Sequence, residues 1–147
     1  MSPTASLLVL AVLLGGSLLV GVLLSRRSAL AHAVRTAERI DPADLATAGS
    51  APGFGERGTV VQFSTAYCSR CPATRRTITE TVAARPELAF VHLDVTDRPD
   101  LASRFRLSQT PTVLILDHLG VPRARLSGAV SAEALHAGLD STIGIRP

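Results

Sequence analysis

Tyr67-Cys68-Ser69-Arg70-Cys71-Pro72 holds both cysteines of the chain, spaced C-x-x-C. An apolar, β-rich run precedes it, Thr59-Val60-Val61-Gln62-Phe63-Ser64, and a helical pattern opens near Pro72. Two thiols set two residues apart at the start of a helix are placed to close a short disulfide and to reopen it. The helix N-terminus offers unpaired N–H groups and a partial positive charge, and both favour thiolate over thiol. A C-x-x-C beside a βαβ pattern reads first as a redox motif.

Working outward, the helix is expected over 71–84, with Ile78 and Val82 one turn apart on its inward face and Arg75, Arg76 and Glu80 outward. Arg85-Pro86 stops it. A strand follows at 88–95, and a strand–helix–strand of this length implies a parallel, right-handed crossover. Asp97 as cap and Pro99 in the first turn open a short helix over 98–106. Thr112 to Leu116 is the next strand, turned by Leu119-Gly120-Val121-Pro122 into another at 123–127. Ser131 then caps a last helix whose Ala132, Leu135 and Leu139 share one face. The order is βαβ, helix, β-hairpin, helix: an α/β class, with no internal repeat or low-complexity tract.

The N-terminal part is different in kind. Ala5 through Leu24 carries no charged residue, close to the roughly 20 apolar residues a helix needs to cross a bilayer. It accounts for the positive mean hydropathy of +0.30. No Lys or Arg precedes the run, and it exceeds the roughly 7–15 residues of a signal-peptide core, so an uncleaved anchor is expected. Arg26, Arg27, Arg35 and Arg39 follow it, and the excess of positive charge marks the cytoplasmic flank. That places the C-x-x-C part in the cytoplasm of a single-pass cell-membrane protein, with the extracytoplasmic orientation as the alternative. Residues 1–27 are thus read as anchor and 28–55 as linker, with a possible first strand around Val34 to Ile40 and a short helix capped by Asp41 before Pro42. Residues 56–147 form the globular domain.

All 15 basic residues are Arg, a codon habit of a G+C-rich genome rather than chemistry. The net charge of +3 is spread out, and with one Tyr, no Trp and no basic-aromatic stripe, nucleic-acid binding has little support. Proximity of Arg26 and Arg27 to lipid headgroups is the simpler use of that charge.

The element order, with C-x-x-C opening the first core helix and Gln109-Thr110-Pro111-Thr112 just before the hairpin, resembles thioredoxin over residues 56–143. The resemblance is to a membrane-anchored bacterial thioredoxin-domain protein. It implies the thioredoxin fold, a central mixed sheet flanked by helices. By this resemblance Cys68 is the exposed nucleophile, Cys71 the buried resolving thiol, and Pro111 a cis-proline packed against the disulfide; cis X–Pro bonds are uncommon and deliberate. Thr110 and Tyr67 then form the surface that meets an incoming peptide. Exchange proceeds through a mixed disulfide: Cys68 attacks a client disulfide and Cys71 releases the reduced client, so an upstream thiol reductant is needed. The redox-active disulfide is the sole cofactor expected.

The sequence departs from the thioredoxin pattern at several positions. Tyr67 stands where the family usually has Trp, keeping a flat apolar cover. Ser69-Arg70 replaces Gly-Pro, and a guanidinium beside Cys68 favours its thiolate and a more oxidising couple. Gln62 occupies the place of a buried Asp that relays the proton of the second thiol; an amide is no general base at neutral pH. His92 falls where the family has a Lys beside that Asp. Slower resolution is expected unless water or His92 takes the proton.

Plainer readings stand beside these. A structural zinc site wants four ligands, whereas the chain has two cysteines and scattered His32, His92, His118 and His136, so no metal is expected. His92 is more simply a packed strand residue, and Gln62 a satisfied polar group in the core. Arg75 and Arg76 are a solvated helix face, or a patch that steers acidic partners. Gly15-Gly16 and Gly21 hint at close helix contact in the anchor. The expected activity is a membrane-tethered thiol–disulfide oxidoreductase working as a reductase in a reducing pool. The alternative is a non-catalytic adaptor that docks a client at the Pro111 surface.

Overall fold

A computed structural model describes residues 10, 12–20, 32–33, 39–46 and 53–143. Residues 12–20 are helical (α1) and expose their leucines and valines. Among the described residues no helix is long and apolar enough to cross a membrane. The span expected at 5–24 lies partly outside them.

Among the described residues five strands form one sheet: β1 (His32–Ala33), β2 (Gly58–Ser64), β3 (Leu88–Asp94), β4 (Thr112–Asp117) and β5 (Pro122–Ser127), in the order β1-β5-β4-β2-β3. β2 and β3 run parallel and every other neighbouring pair antiparallel. The helices are α2 (Cys71–Ala83), α3 (Pro99–Arg104) and α4 (Ala132–Ile143), with a 3-10 turn at Pro42–Leu45.

Alternation along the strands builds two cores. Val60, Val113, Ile115, Ala124 and Leu126 face Ile78 of α2 and Leu135 and Leu139 of α4. Val61, Phe63, Val91, Leu93, Leu114 and Leu116 face Leu101 of α3, Phe105, Ile40 and Leu45. All seven residues of β2 are buried, since helices cover both faces of this strand and β3 and β4 flank it. Phe63 and Phe105 stack with ring centroids 4.9 Å apart.

The stretch 28–55 contributes more than a spacer. A two-residue strand at His32–Ala33 pairs with Arg125 and Ala124 at the edge of the sheet, while the strand expected around Val34 to Ile40 falls mostly outside the described residues. Val34 to Glu38 lie outside the described residues; Ile40 is buried core, and its N–H donates to the Gly120 carbonyl at 2.9 Å. The Asp41 cap is present as a capping box, its side chain accepting from the Ala43 N–H and Asp44 accepting from the Asp41 N–H. Asp44 also pairs with Arg104 of α3 at 2.9 Å.

The α3 expectation needs correction at its start. The N-cap is Arg98, not Asp97, and makes no side-chain cap bond; its guanidinium instead pairs with Asp100 in the first turn. Ser131 accepts from the Ala134 N–H at 3.2 Å, as a cap for α4 does. The β4–β5 turn is held by Asp117, which accepts from the Leu119 and Val121 N–H groups and from Arg123. Gly120 sits there at φ +79°, and a Cβ would collide with the Ile40 carbonyl.

Candidate active site

The buried strand β2 delivers the chain to the site. After Ser64 a hydrogen-bonded turn, with Cys68 N–H to Thr65 O at 3.1 Å and Cys71 N–H to Cys68 O at 3.3 Å, brings Cys71 into the first residue of α2. Arg70 is the N-cap and no side chain caps this end, so N–H groups of the first turn are left for whatever negative charge forms at the cysteines. Cys68 and Cys71 are joined as a disulfide with Cα atoms 5.5 Å apart. Cys71 is buried at 5% exposure, while Cys68 is only half-buried. A partner can therefore reach one sulfur and not the other.

Thr110–Pro111 is a cis peptide at the head of β4. Thr112 pairs with Phe63, which sets this bend beside the end of β2. The Thr110 and Thr65 hydroxyls lie 3.2 Å apart, and the Pro111 carbonyl accepts from the Gly128 N–H at 2.9 Å. Thr110 and Pro111 thus border the turn that carries Cys68.

Beneath the cysteines the sheet is polar. Gln62 is fully buried, its Nε2 donating to the Cys71 carbonyl at 3.0 Å. The plain reading of Gln62 as a satisfied group holds for only half of the amide, because Oε1 has no partner among the described residues. Gln62 pairs in register with His92 on β3. The His92 Nε2 lies 2.8 Å from the Ser64 hydroxyl, on the same face of the sheet. Burial first, then the Arg75 guanidinium, holds His92 below the ordinary imidazole range, with Asp94 pulling the other way. Neutral His92 is a proton acceptor at neutral pH, one hydroxyl removed from the strand end.

Residues 55–141 match the thioredoxin family model. The chain belongs to the thioredoxin family. An H-type thioredoxin of Fagopyrum esculentum is 30% identical over 77 residues, 52% of this chain and 66% of that protein. Among solved structures, mitochondrial thioredoxin 3 of Saccharomyces cerevisiae in its oxidised form is similar at 26% identity and TM-score 0.51, covering 58% of this chain and 78% of that one. Thioredoxin NaTrxh of Nicotiana alata is similar at 26% identity and TM-score 0.53, covering 60% and 75%.

Within this thioredoxin domain the remaining expected residues are spread unevenly. Tyr67, expected as a flat cover, is 91% exposed and rests on little of the surface. Ser69 and Arg70 are exposed beside Cys68. Among the described residues no group of three or more His, Cys, Asp or Glu side chains is placed to hold a metal ion.

Sequence reading missed a bracket that fixes the active-site turn. The Ala66 N–H donates to the Thr96 hydroxyl at 2.8 Å, and Thr96 donates from both its hydroxyl and its N–H to Asp94. Those bonds hold the Asp94 carboxyl below the usual carboxylate range. The available signal was Asp94-Val95-Thr96 at a strand end, the spacing of an Asx turn.

Proposed function

We propose that this chain is a membrane-tethered thiol–disulfide oxidoreductase that reduces disulfides of client proteins. One observation carries the reading: the Cys68–Cys71 disulfide spans the start of α2, with Cys71 buried and Cys68 open beside Thr110–Pro111. In the dithiol form the Cys68 thiolate attacks a client disulfide. One client sulfur leaves as thiolate and a mixed disulfide forms. Cys71 then gives up its proton and attacks the Cys68 sulfur, which releases the second client thiol and leaves the Cys68–Cys71 disulfide. Two electrons pass to the client, and an upstream thiol reductant restores the dithiol.

The apolar run at 5–24 followed by Arg26 and Arg27 supports the tether, and by the charge rule it favours a cytoplasmic domain. A reducing pool then favours the reductase direction. In the extracytoplasmic orientation the electrons come across the membrane from another protein. A membrane-impermeant thiol reagent distinguishes the two in intact cells: cytoplasmic cysteines react only after lysis.

Gln62 favours a second reading, since its amide cannot relay the Cys71 proton. On that reading the domain docks clients at the Pro111 surface without turnover. Titration of the protein against glutathione and dithiothreitol buffers, with alkylation mass shifts as readout, decides. A reversible two-electron transition at about −200 to −270 mV supports the reductase. Thiols that never pair sink it.

A further inference from the structure

The direction of β1 relates the anchor to the redox site. His32 pairs with Arg125 and Ala33 with Ala124. Arg125 lies opposite Leu114, and Leu114 opposite Val61, whereas Ser127, Thr112 and Phe63 form the last shared rung before the cysteines. β1 therefore runs away from the C-x-x-C end, and His32, its first residue, is the one nearer that end of the sheet. His32 stands two rungs below Phe63, about 7 Å.

The tether is short. From Arg27, at the edge of the apolar run, to His32 are five residue steps, which reach about 18 Å at full extension. Putting the opposite end of the sheet against the headgroups requires the tether to double back. It would have to pass the three rungs from Val61 to Gly58, about 10 Å, and then the segments beyond that end, where the Ile40 N–H bonds the Gly120 carbonyl and the Arg57 N–H the Glu87 carbonyl. That uses up the reach before any is left for the membrane.

Resting on the reading of residues 5–24 as an anchor, we infer that the C-x-x-C end of the domain is turned toward the lipid surface and that its clients are disulfides at headgroup level, in membrane-proximal segments of integral membrane proteins. Cys68 then works in the thin layer between domain and bilayer. A disulfide held well above the membrane is the poorer substrate.

The test uses the full chain in vesicles of anionic lipid. Cys71→Ser is labelled with a fluorophore at Cys68; a Cys68→Ser/Cys71→Ser/Glu56→Cys chain carries the same label at the opposite end. Quenching by nitroxide headgroups should be stronger at Cys68 by about twofold or more, given a separation of about seven strand residues. In the same vesicles the reduced native chain should cleave a dithiopyridyl group fixed on phosphatidylethanolamine several-fold faster than the same group lifted on a long polyethylene glycol spacer. A chain that does not float with the vesicles overturns the anchor reading and this inference with it. Flotation with equal or reversed quenching overturns the orientation alone, and faster cleavage of the lifted disulfide overturns the choice of client.

Discussion

Gln62 donates from Nε2 to the Cys71 carbonyl at 3.0 Å, while its Oε1, fully buried, has no partner among the described residues. A buried orphan acceptor costs free energy, so the hydrogen bond and the orphan nearly offset one another. Gln62→Met should therefore move the stability of the oxidised domain by less than about 1 kcal/mol. Gln62→Asp places a base under the resolving cysteine. Above its burial-raised pKa, it should speed release of glutathione from a Cys68 mixed disulfide by about ten- to a hundredfold, at or below the usual contribution of a positioned base. Stopped-flow release kinetics against pH check this; an unchanged rate means that proton removal from Cys71 does not limit the step.

His92 couples the same region to pH. Its value in the fold lies below the ordinary one, chiefly through burial. The unfolded chain consequently binds the proton first as pH falls, and stability contributed by neutral His92 is complete above the ordinary imidazole range and is lost as pH drops through it toward the folded value. Urea midpoints between about pH 7.5 and pH 5 should fall less steeply in His92→Gln than in the native chain. Parallel curves would show that another group carries the dependence.

Gly120 should tolerate no side chain. It combines φ +79° with a backbone carbonyl, that of Ile40, in the space a Cβ needs. Gly120→Ala is expected to cost about 2 kcal/mol or more, from the left-handed conformation plus displacement of the Ile40 segment. Protection of the Ile40 amide against hydrogen exchange should drop with it.

Asp117 is the other support of that end. Burial works to raise its pKa, but the Val121 N–H, Arg123 and the Leu119 N–H together hold it below the ordinary carboxylate value. Asp117→Ala leaves those donors without their acceptor and should destabilise the hairpin by about 2 kcal/mol, read from denaturant midpoints. The native chain should lose part of that stability as pH falls below about 4 through the lowered folded value, as the carboxylate protonates.

Much of this was legible in the linear chain. Strands β2 to β5, helices α2 and α4 and the C-x-x-C at the head of α2 are written in short-range patterns: runs of Val, Ile and Leu, one-turn spacings such as Ile78 and Val82, and stop signals such as Arg85-Pro86. The error at α3 has a local cause. Asp97 and Asp100 are both plausible near a helix start, and pairing of Arg98 with Asp100 shifts the cap by one residue.

The site's interior was not legible in this way. Asp94, Thr96 and Ala66 meet across two strand ends, Gln62 finds a carbonyl on the helix above it, and Ser64 meets His92 on the neighbouring strand. Parallel pairing of β2 with β3, far apart in the chain, supplies the Ala66–Thr96 and Ser64–His92 contacts, and packing of α2 on β2 supplies the Gln62–Cys71 bond; only the Asp94–Thr96 turn is local.

Composition and spacing along the chain therefore established the family, the redox pair and the order of elements, since periodicity, turn chemistry and the C-x-x-C are properties of neighbouring residues. Folding alone assigned His32–Ala33 to the edge beside β5, put Ile40 and Leu45 into the core, and left Gln62 half satisfied. A two-residue strand has no period to read, and a buried amide reveals its missing partner only when the surrounding elements have closed over it.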